Sequence, residues 1–146
     1  MTETQKDYIF ANGRRKRATA RVRLFPVKDD LTIDGQTWAK GTIIVNGKPA
    51  EEYFKSLFYA KYKYLEVFRS TNTANKYVTT VVVVGSGLSG QLGAMNLGIA
   101  RALVKIDPKN KLILRKKGYM TRDPREVERK KPGLPKARKH KSSPKR

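Results

Sequence analysis

Hydrophobic and polar positions alternate from Ala18 to Phe25: Ala18, Ala20, Val22 and Leu24 point one way, Thr19, Arg21, Arg23 and Phe25 the other. A period of two predicts a strand with one buried face and one partly basic face. Pro26 ends it or sits at its edge, because proline cannot donate to a ladder. Upstream, Tyr8-Ile9-Phe10 begins a short β-like segment that runs into the turn pair Asn12-Gly13. Leu31-Thr32-Ile33 and the residues after Asp34-Gly35 predict a small hairpin, since Asp-Gly suits a tight turn. Thr42–Val45 is a further strand, closed by Asn46-Gly47.

A helix is expected next. Pro49 fits its first position, Glu51 and Glu52 face the positive end of its dipole, and Tyr53, Phe54, Leu57 and Phe58 form its apolar face. Residues 62–75 follow no single period, and 70–75 reads as a loop. Lys76–Val84 is the clearest strand, and its four consecutive valines predict burial on both faces. Beyond Gly85–Gly90, the residues Leu88, Leu92, Met95, Ile99, Leu103 and Ile106 recur at spacings of three and four, the stripe of an amphipathic helix. Asp107-Pro108 stops that helix and starts another, with Asp107 as cap, ending at Gly118. After Met120 apolar residues nearly vanish, and Pro132, Gly133, Pro135 and Pro144 break any helix. The pattern therefore predicts an α/β (α+β) body over residues 1–118 and an extended tail over 119–146 that cannot bury enough surface to fold alone.

Charge sharpens this division. The chain has 146 residues, 33 Lys+Arg against 12 Asp+Glu, and a formal net charge of +21. Residues 111–146 hold 15 of the cations and 3 of the acids. A compact chain with that excess repels itself and needs a polyanion, with nucleic acid the leading candidate and an anionic membrane surface the weaker one. No apolar run approaches the roughly 20 residues needed to span a bilayer. The N-terminus carries acids and no apolar stretch, so it reads as neither a secretory signal nor a transit peptide, and a cytoplasmic protein is the expectation. With no cysteine and a single histidine, His140 in the tail, thiolate chemistry, His-based triads and Cys/His metal sites have no residues to work with. No enzyme activity, cofactor or metal is expected.

Three features carry candidate chemistry. Arg14-Arg15-Lys16-Arg17 forms a loop cluster without matching acids, and Arg21 and Arg23 extend it along the strand. Gly85, Gly87 and Gly90 spell G-x-G-x-x-G between strand and helix, the context of a dinucleotide-binding loop. Asp107 closes the helix instead of ending a following strand, so it cannot serve a ribose. A glycine turn facing an RNA phosphate, or a plain tight connection, remain the alternatives. Gly93 and Gly98 inside the helix each cost about 1 kcal/mol relative to alanine, and the stripe Ala94, Gly98, Ala102 points to close packing on the sheet. In the tail, Arg122, Arg125, Arg129, Lys130, Lys131, Lys136, Arg138, Lys139, Lys141, Lys145 and Arg146 recur every few residues, a spacing suited to threading between RNA helices. A generic nucleic-acid compactor shares that composition.

Four segments in order resemble the family of small-subunit ribosomal protein nine, in its bacterial and organellar branch. They are Asn12–Lys16 with Ala20-Arg21-Val22; Val45–Pro49 through Glu52-Tyr53-Phe54; Gly87–Gln91 with Gly98–Leu103; and Thr121-Arg122-Asp123 with Glu128–Lys131 and Lys136-Ala137-Arg138. The resemblance covers nearly the whole chain. It implies helices packed on a mainly antiparallel sheet, like the second domain of small-subunit ribosomal protein five, with a left-handed crossover. It implies a place in the head of the small subunit, on ribosomal RNA and beside other head proteins. Gly87, Ser89, Gln91 and Arg101 join the cationic residues above as RNA contacts, and Lys145 and Arg146 are implied to approach the peptidyl-site transfer RNA. Two departures stand out. Pro144 precedes the terminal Lys-Arg and restricts Ser143, and residues 29–40 look longer than the family's usual hairpin, as an arm to RNA or a neighbour or as a solvent loop.

Overall fold

A computed structural model of the chain describes residues 7–27, 30–33 and 35–145. The elements in order are β1 (Ile9–Arg15), β2 (Ala18–Pro26), β3 (Leu31–Ile33), β4 (Gln36–Trp38), β5 (Ile43–Val45), β6 (Lys48–Pro49), α1 (Ala50–Tyr53), α2 (Ala60–Ser70), β7 (Tyr77–Val84), α3 (Leu88–Ile106) and α4 (Asn110–Lys116). Five strands form one sheet in the order β1-β2-β7-β5-β6, and β3 and β4 form a separate hairpin. Pairing is antiparallel except between β5 and β7, the one parallel pair, which α1 and α2 connect. The fold is α+β, as the residue pattern predicts, and its mainly antiparallel sheet is the one the family resemblance implies.

The β2 alternation is realised: Ala18, Ala20, Val22 and Leu24 are buried while Arg21 and Arg23 are exposed. The buried side carries the helix layer. Leu92, Met95, Ile99 and Leu103 of α3 are buried over Val22, Leu24 and Val81 in one core cluster. Each such side chain contributes roughly 1.5–3 kcal/mol on burial.

Four expectations change. Asn12-Gly13 is not a turn; β1 runs straight through it, and the reversal falls at Lys16-Arg17, between the paired residues Arg15 and Ala18. Gly13 is needed there for space. A Cβ on it would lie 1.8 Å from the Ala94 carbonyl oxygen and 2.5 Å from the Gly98 amide nitrogen, so helix backbone rests directly on strand backbone. Gly98 is the reciprocal half of this contact and lies in the stripe expected to pack on the sheet. Second, the valine run is buried on one face only. Val81 and Val83 are buried, whereas Val82 is 41% and Val84 64% exposed, because helices cover a single side of the sheet.

Third, the helix expected after Pro49 shrinks to the single turn of α1, and Phe58 is almost fully exposed. The hairpin β5–β6 uses Asn46 and Gly47, both at positive φ, which leaves Pro49 in the strand pairing and not inside a helix. The unassigned stretch from residue 62 belongs mostly to α2, which buries Ala60, Tyr64, Val67 and Phe68. Fourth, the described part of the long 29–40 segment is packed on the body and is not a solvent loop. Leu31 is buried with Phe25, Ile44 and Val78, and Ile33 and Trp38 pack beside them, so β3–β4 covers one end of the other sheet face. Asp34 of its turn lies outside the described residues.

The α4 end follows expectation. Gly118 takes φ +79, its amide donates to the Arg115 carbonyl, and the Tyr119 amide donates to that of Leu114. Tyr119 and Met120 then pack against the core.

Gly13→Ala is expected to lower stability by about 3 kcal/mol, since the clash is with backbone. Gly87→Ala, with nothing within 4 Å of its built Cβ, changes it by under about 1 kcal/mol. Urea denaturation of both variants checks this, and equal losses contradict it. Burial, with Glu51 adding, pushes the Tyr64 hydroxyl up to about 12 from 10.0. The unfolded chain releases that proton first, so stability is whole below pH 10 and falls as pH rises toward 12. Tyr64→Phe flattens this slope in alkaline unfolding curves.

Candidate nucleic-acid interface

The β1–β2 hairpin presents the first cationic group. Arg14 lies opposite Thr19, Arg21 opposite Asn12 and Val82, and Arg23 opposite Phe10 and Thr80, so these arginines share the sheet face without helices. All three are exposed, beside the partly exposed Phe10, Val82 and Val84. The Arg23 guanidinium sits 5.1 Å from the centre of the Tyr8 ring. Lys16 and Arg17 form the turn tip, with Lys16 at φ +50.

Arg15 goes the other way. Its side chain crosses α3 above Gly93, where a Cβ would meet Arg15 Cδ at 2.2 Å. One Nη donates to the Ser89 carbonyl at 3.4 Å, and the other lies 3.3 Å from the Asp123 carboxylate. Arg15 thereby ties the end of β1, the first turn of α3 and the root of the tail together. Arg101 donates to the Asn12 carbonyl at 2.9 Å and Lys105 to the Phe10 carbonyl at 2.7 Å. Both carbonyls belong to an edge strand, so these cations, four residues apart on α3, blunt an edge open to wrong pairing. Lys105 was not singled out from the sequence, although its spacing from Arg101 was visible there.

The glycine segment is a braced turn. Gly85 has φ +81 and Ser86 +55, and a Cβ on Gly85 would lie 2.5 Å from the Arg17 carbonyl, so the hairpin tip rests on this turn. Gln91 donates to the Gly85 carbonyl at 3.2 Å and accepts from the Tyr53 hydroxyl at 2.9 Å. Ser89 is exposed, and its hydroxyl accepts from Tyr59 at 3.4 Å. A dinucleotide fold would need a further parallel strand after α3 to bring a ribose-binding acid into place. Instead α3 leads into α4 and the tail, and Asp107 stands at the C-terminal end of α3.

Residues 121–145 contain neither helix nor strand. Their three carboxylates are all engaged. Arg125 grips Asp123 with two bonds of 2.9 Å, Arg138 grips Glu128 with two of 2.8 Å, and Arg122 lies 3.6 Å from Glu126. Hydrogen bonds from the Arg125 side chain and amide, with Arg15 adding charge, hold the Asp123 carboxyl well below the usual carboxylate range. The Arg138 fork lowers Glu128 in the same way. Arg129, Lys130, Lys136, Lys139, Lys141 and Lys145 are exposed with no carboxylate partner among the described residues, and the exposed Lys131 adds its charge to those that lower Glu128. Arg146 lies outside the described residues.

The structure thus gathers Lys16, Arg17, Ser86 and Glu126–Arg129 around one surface depression, and Arg14, Arg15 and Ser89 around another with Tyr59, Lys63 and Asn96. The last three were not identified from the sequence; the available signal was a polar residue, Asn96, inside the apolar stretch of α3. Among the described residues no group of His, Asp or Glu is placed to hold a metal ion, and no helix is long and apolar enough to cross a membrane.

Comparison with known proteins agrees with this arrangement. The family model described as ribosomal protein S9/S16 matches residues 13–146. The small ribosomal subunit protein uS9 of Thermotoga neapolitana is 46% identical over 132 residues, covering 88% of this chain and 89% of its own length. The protein of the same name from Porphyromonas gingivalis is 45% identical over 133 residues, covering 91% and 94%. With a model match from the first hairpin to the last residue and relatives at this identity, the chain belongs to the ribosomal protein S9/S16 family.

Proposed function

We propose that this protein binds ribosomal RNA in the head of the small subunit, with its C-terminal tail reaching the peptidyl-site transfer RNA. Family membership makes it a structural, non-enzymatic component of the small ribosomal subunit. The single observation that carries the RNA reading is the state of the tail's charges. Its three acids are already paired, while six described cations face solvent without a carboxylate partner among the described residues. Protein carboxylates within the chain cannot neutralise them, and a phosphate backbone can.

The body contributes two contacts in this reading. Arg14, Arg21 and Arg23 on the open sheet face meet phosphates through planar guanidinium groups. Lys16 and Arg17 at the hairpin tip do so beside Gly87 and Ser89 at the start of α3, where free amides favour an anion. Gln91, Arg15 and Arg101 hold this surface in shape from within and reach RNA with their remaining polar groups. Residues 1–118 act as the docking body and 119–146 as the arm, rooted by Tyr119 and Met120. Along the arm, Arg122, Arg125, Arg129, Lys130, Lys131, Lys136, Arg138 and Lys139 neutralise successive phosphates. The 26 residues of 121–146 span at most roughly 90 Å when extended, enough to bring Lys145 and Arg146 to a site remote from the body. Neighbouring head proteins complete the set of partners; no membrane or cofactor takes part.

Deleting residues 121–146 is expected to leave a folded body whose affinity for small-subunit RNA falls less steeply with salt, the slope of log K against log salt shrinking by roughly 5 units. Titration at several salt concentrations measures this, and an unchanged slope contradicts the arm's role. Removing Lys145 and Arg146 alone is expected to spare subunit assembly yet alter initiation or frame maintenance. Normal behaviour in both assays contradicts the transfer-RNA contact.

A further inference from the structure

A cleft of about 540 Å³ opens where β1, α2, α3 and the root of the tail meet. That size lies within the roughly 300–1,000 Å³ of small-ligand sites. Its floor is α3 at Gly93 and Asn96, and its walls carry Arg14, Arg15, Lys63, Lys117 and Tyr59. Asp123 is the one carboxylate in the lining, and it is already held by Arg15 and Arg125. Lys117 is spent on Glu66 and the Arg14 side chain lies on the other sheet face, so Lys63, exposed and without a carboxylate partner among the described residues, is the cation left to meet an anion here.

Two polar groups here lack partners. Asn96 is only 7% exposed, its Oδ1 has no hydrogen-bond partner, and no hydrogen bond within the protein engages its amide. The Nε of Arg15 is likewise buried and unpartnered. A buried polar group left unmatched costs about 1–3 kcal/mol, and a ligand in the cleft that draws the Asn96 amide toward it relieves part of that cost. An amide offers a donor and an acceptor side by side, the pattern that pairs with a nucleobase edge, and rotation about its last bond exchanges the two ends. The Tyr59 ring, with the Lys63 ammonium 5.3 Å from its centre, adds an aromatic wall beside a cation.

We propose that this cleft binds one unstacked ribonucleotide, its base edge at the Asn96 amide and its phosphate beside Lys63 and Arg15. The inference rests on the RNA-binding reading and deepens it: sequence-tolerant docking on phosphates would be joined by one pocket that inspects a base.

The test uses the full-length chain, labelled with nitrogen-15, at about 0.15 M salt. The probes are the four nucleoside 5′-monophosphates, ribose 5-phosphate as an anion without a base, and polyglutamate as a stand-in for an acidic protein partner. At least one nucleotide is expected to shift the Asn96 amide and Arg15 Nε resonances at concentrations about fivefold or more below those needed by ribose 5-phosphate. Asn96→Leu is expected to weaken that nucleotide about tenfold while melting at the same or a higher temperature, because it removes a buried unmatched amide. Should that variant not fold, Lys63→Ala at an exposed position reads the same site and should weaken the nucleotide about threefold. Equal responses to nucleotide and ribose 5-phosphate, displacement by polyglutamate alone, or an unmoved Asn96 amide would overturn the proposal. Binding of the same sample to small-subunit RNA is measured in parallel. RNA binding with a silent cleft sinks this inference only, whereas no RNA binding sinks the broader functional reading.

Discussion

The contact of α3 backbone with β1 backbone is the constraint on which the remaining arrangement depends. Gly13 and Gly98 face each other with no room for a Cβ on Gly13. A helix held that close brings Arg101 and Lys105 within reach of the edge carbonyls of β1. It also obliges Arg15 to leave the strand end sideways, over Gly93, toward Ser89 and Asp123. The place where the tail leaves the body is thus set by sterics between two glycines and the helix beneath the strand.

The second consequence is a sheet with unequal faces. All the main helices lie on one side, so the other side must be covered differently. The β3–β4 hairpin shields Phe25, Ile44 and Val78 at one end. Toward the β1–β2 turn the face stays open, with Arg21 and Arg23 among exposed Val82 and Val84. Apolar stems and planar cations side by side suit a shaped polyanion better than bulk water. The cations there are presented by rigid strands, whereas those of the tail depend on whatever they bind for their geometry.

Electrostatics divides the cations by role. Some are spent inside the protein: Lys117 on Glu66, Arg125 on Asp123, Arg138 on Glu128. These pairs are exposed, so each adds little stability and chiefly sets local direction. The unpaired tail cations outnumber the paired ones among the described residues, and net charge gives no guide to which of them are free.

The sequence by itself determined the alternating strand of residues 18–25, the apolar stripe of α3, the cap at Gly118 and the cationic, coreless tail, because each is written in local periodicity or composition. Four ordered motifs also sufficed to identify the family. Tertiary structure alone decided that Asn12-Gly13 lies within a strand, that Val82 and Val84 face outward, that β3–β4 folds over its own sheet, and that Arg15, Tyr59, Lys63 and Asn96 share a cleft. These outcomes depend on which surfaces meet across long stretches of chain. A glycine reads the same whether it serves a turn or a close approach, and a valine run does not say how many of its faces the helices will cover.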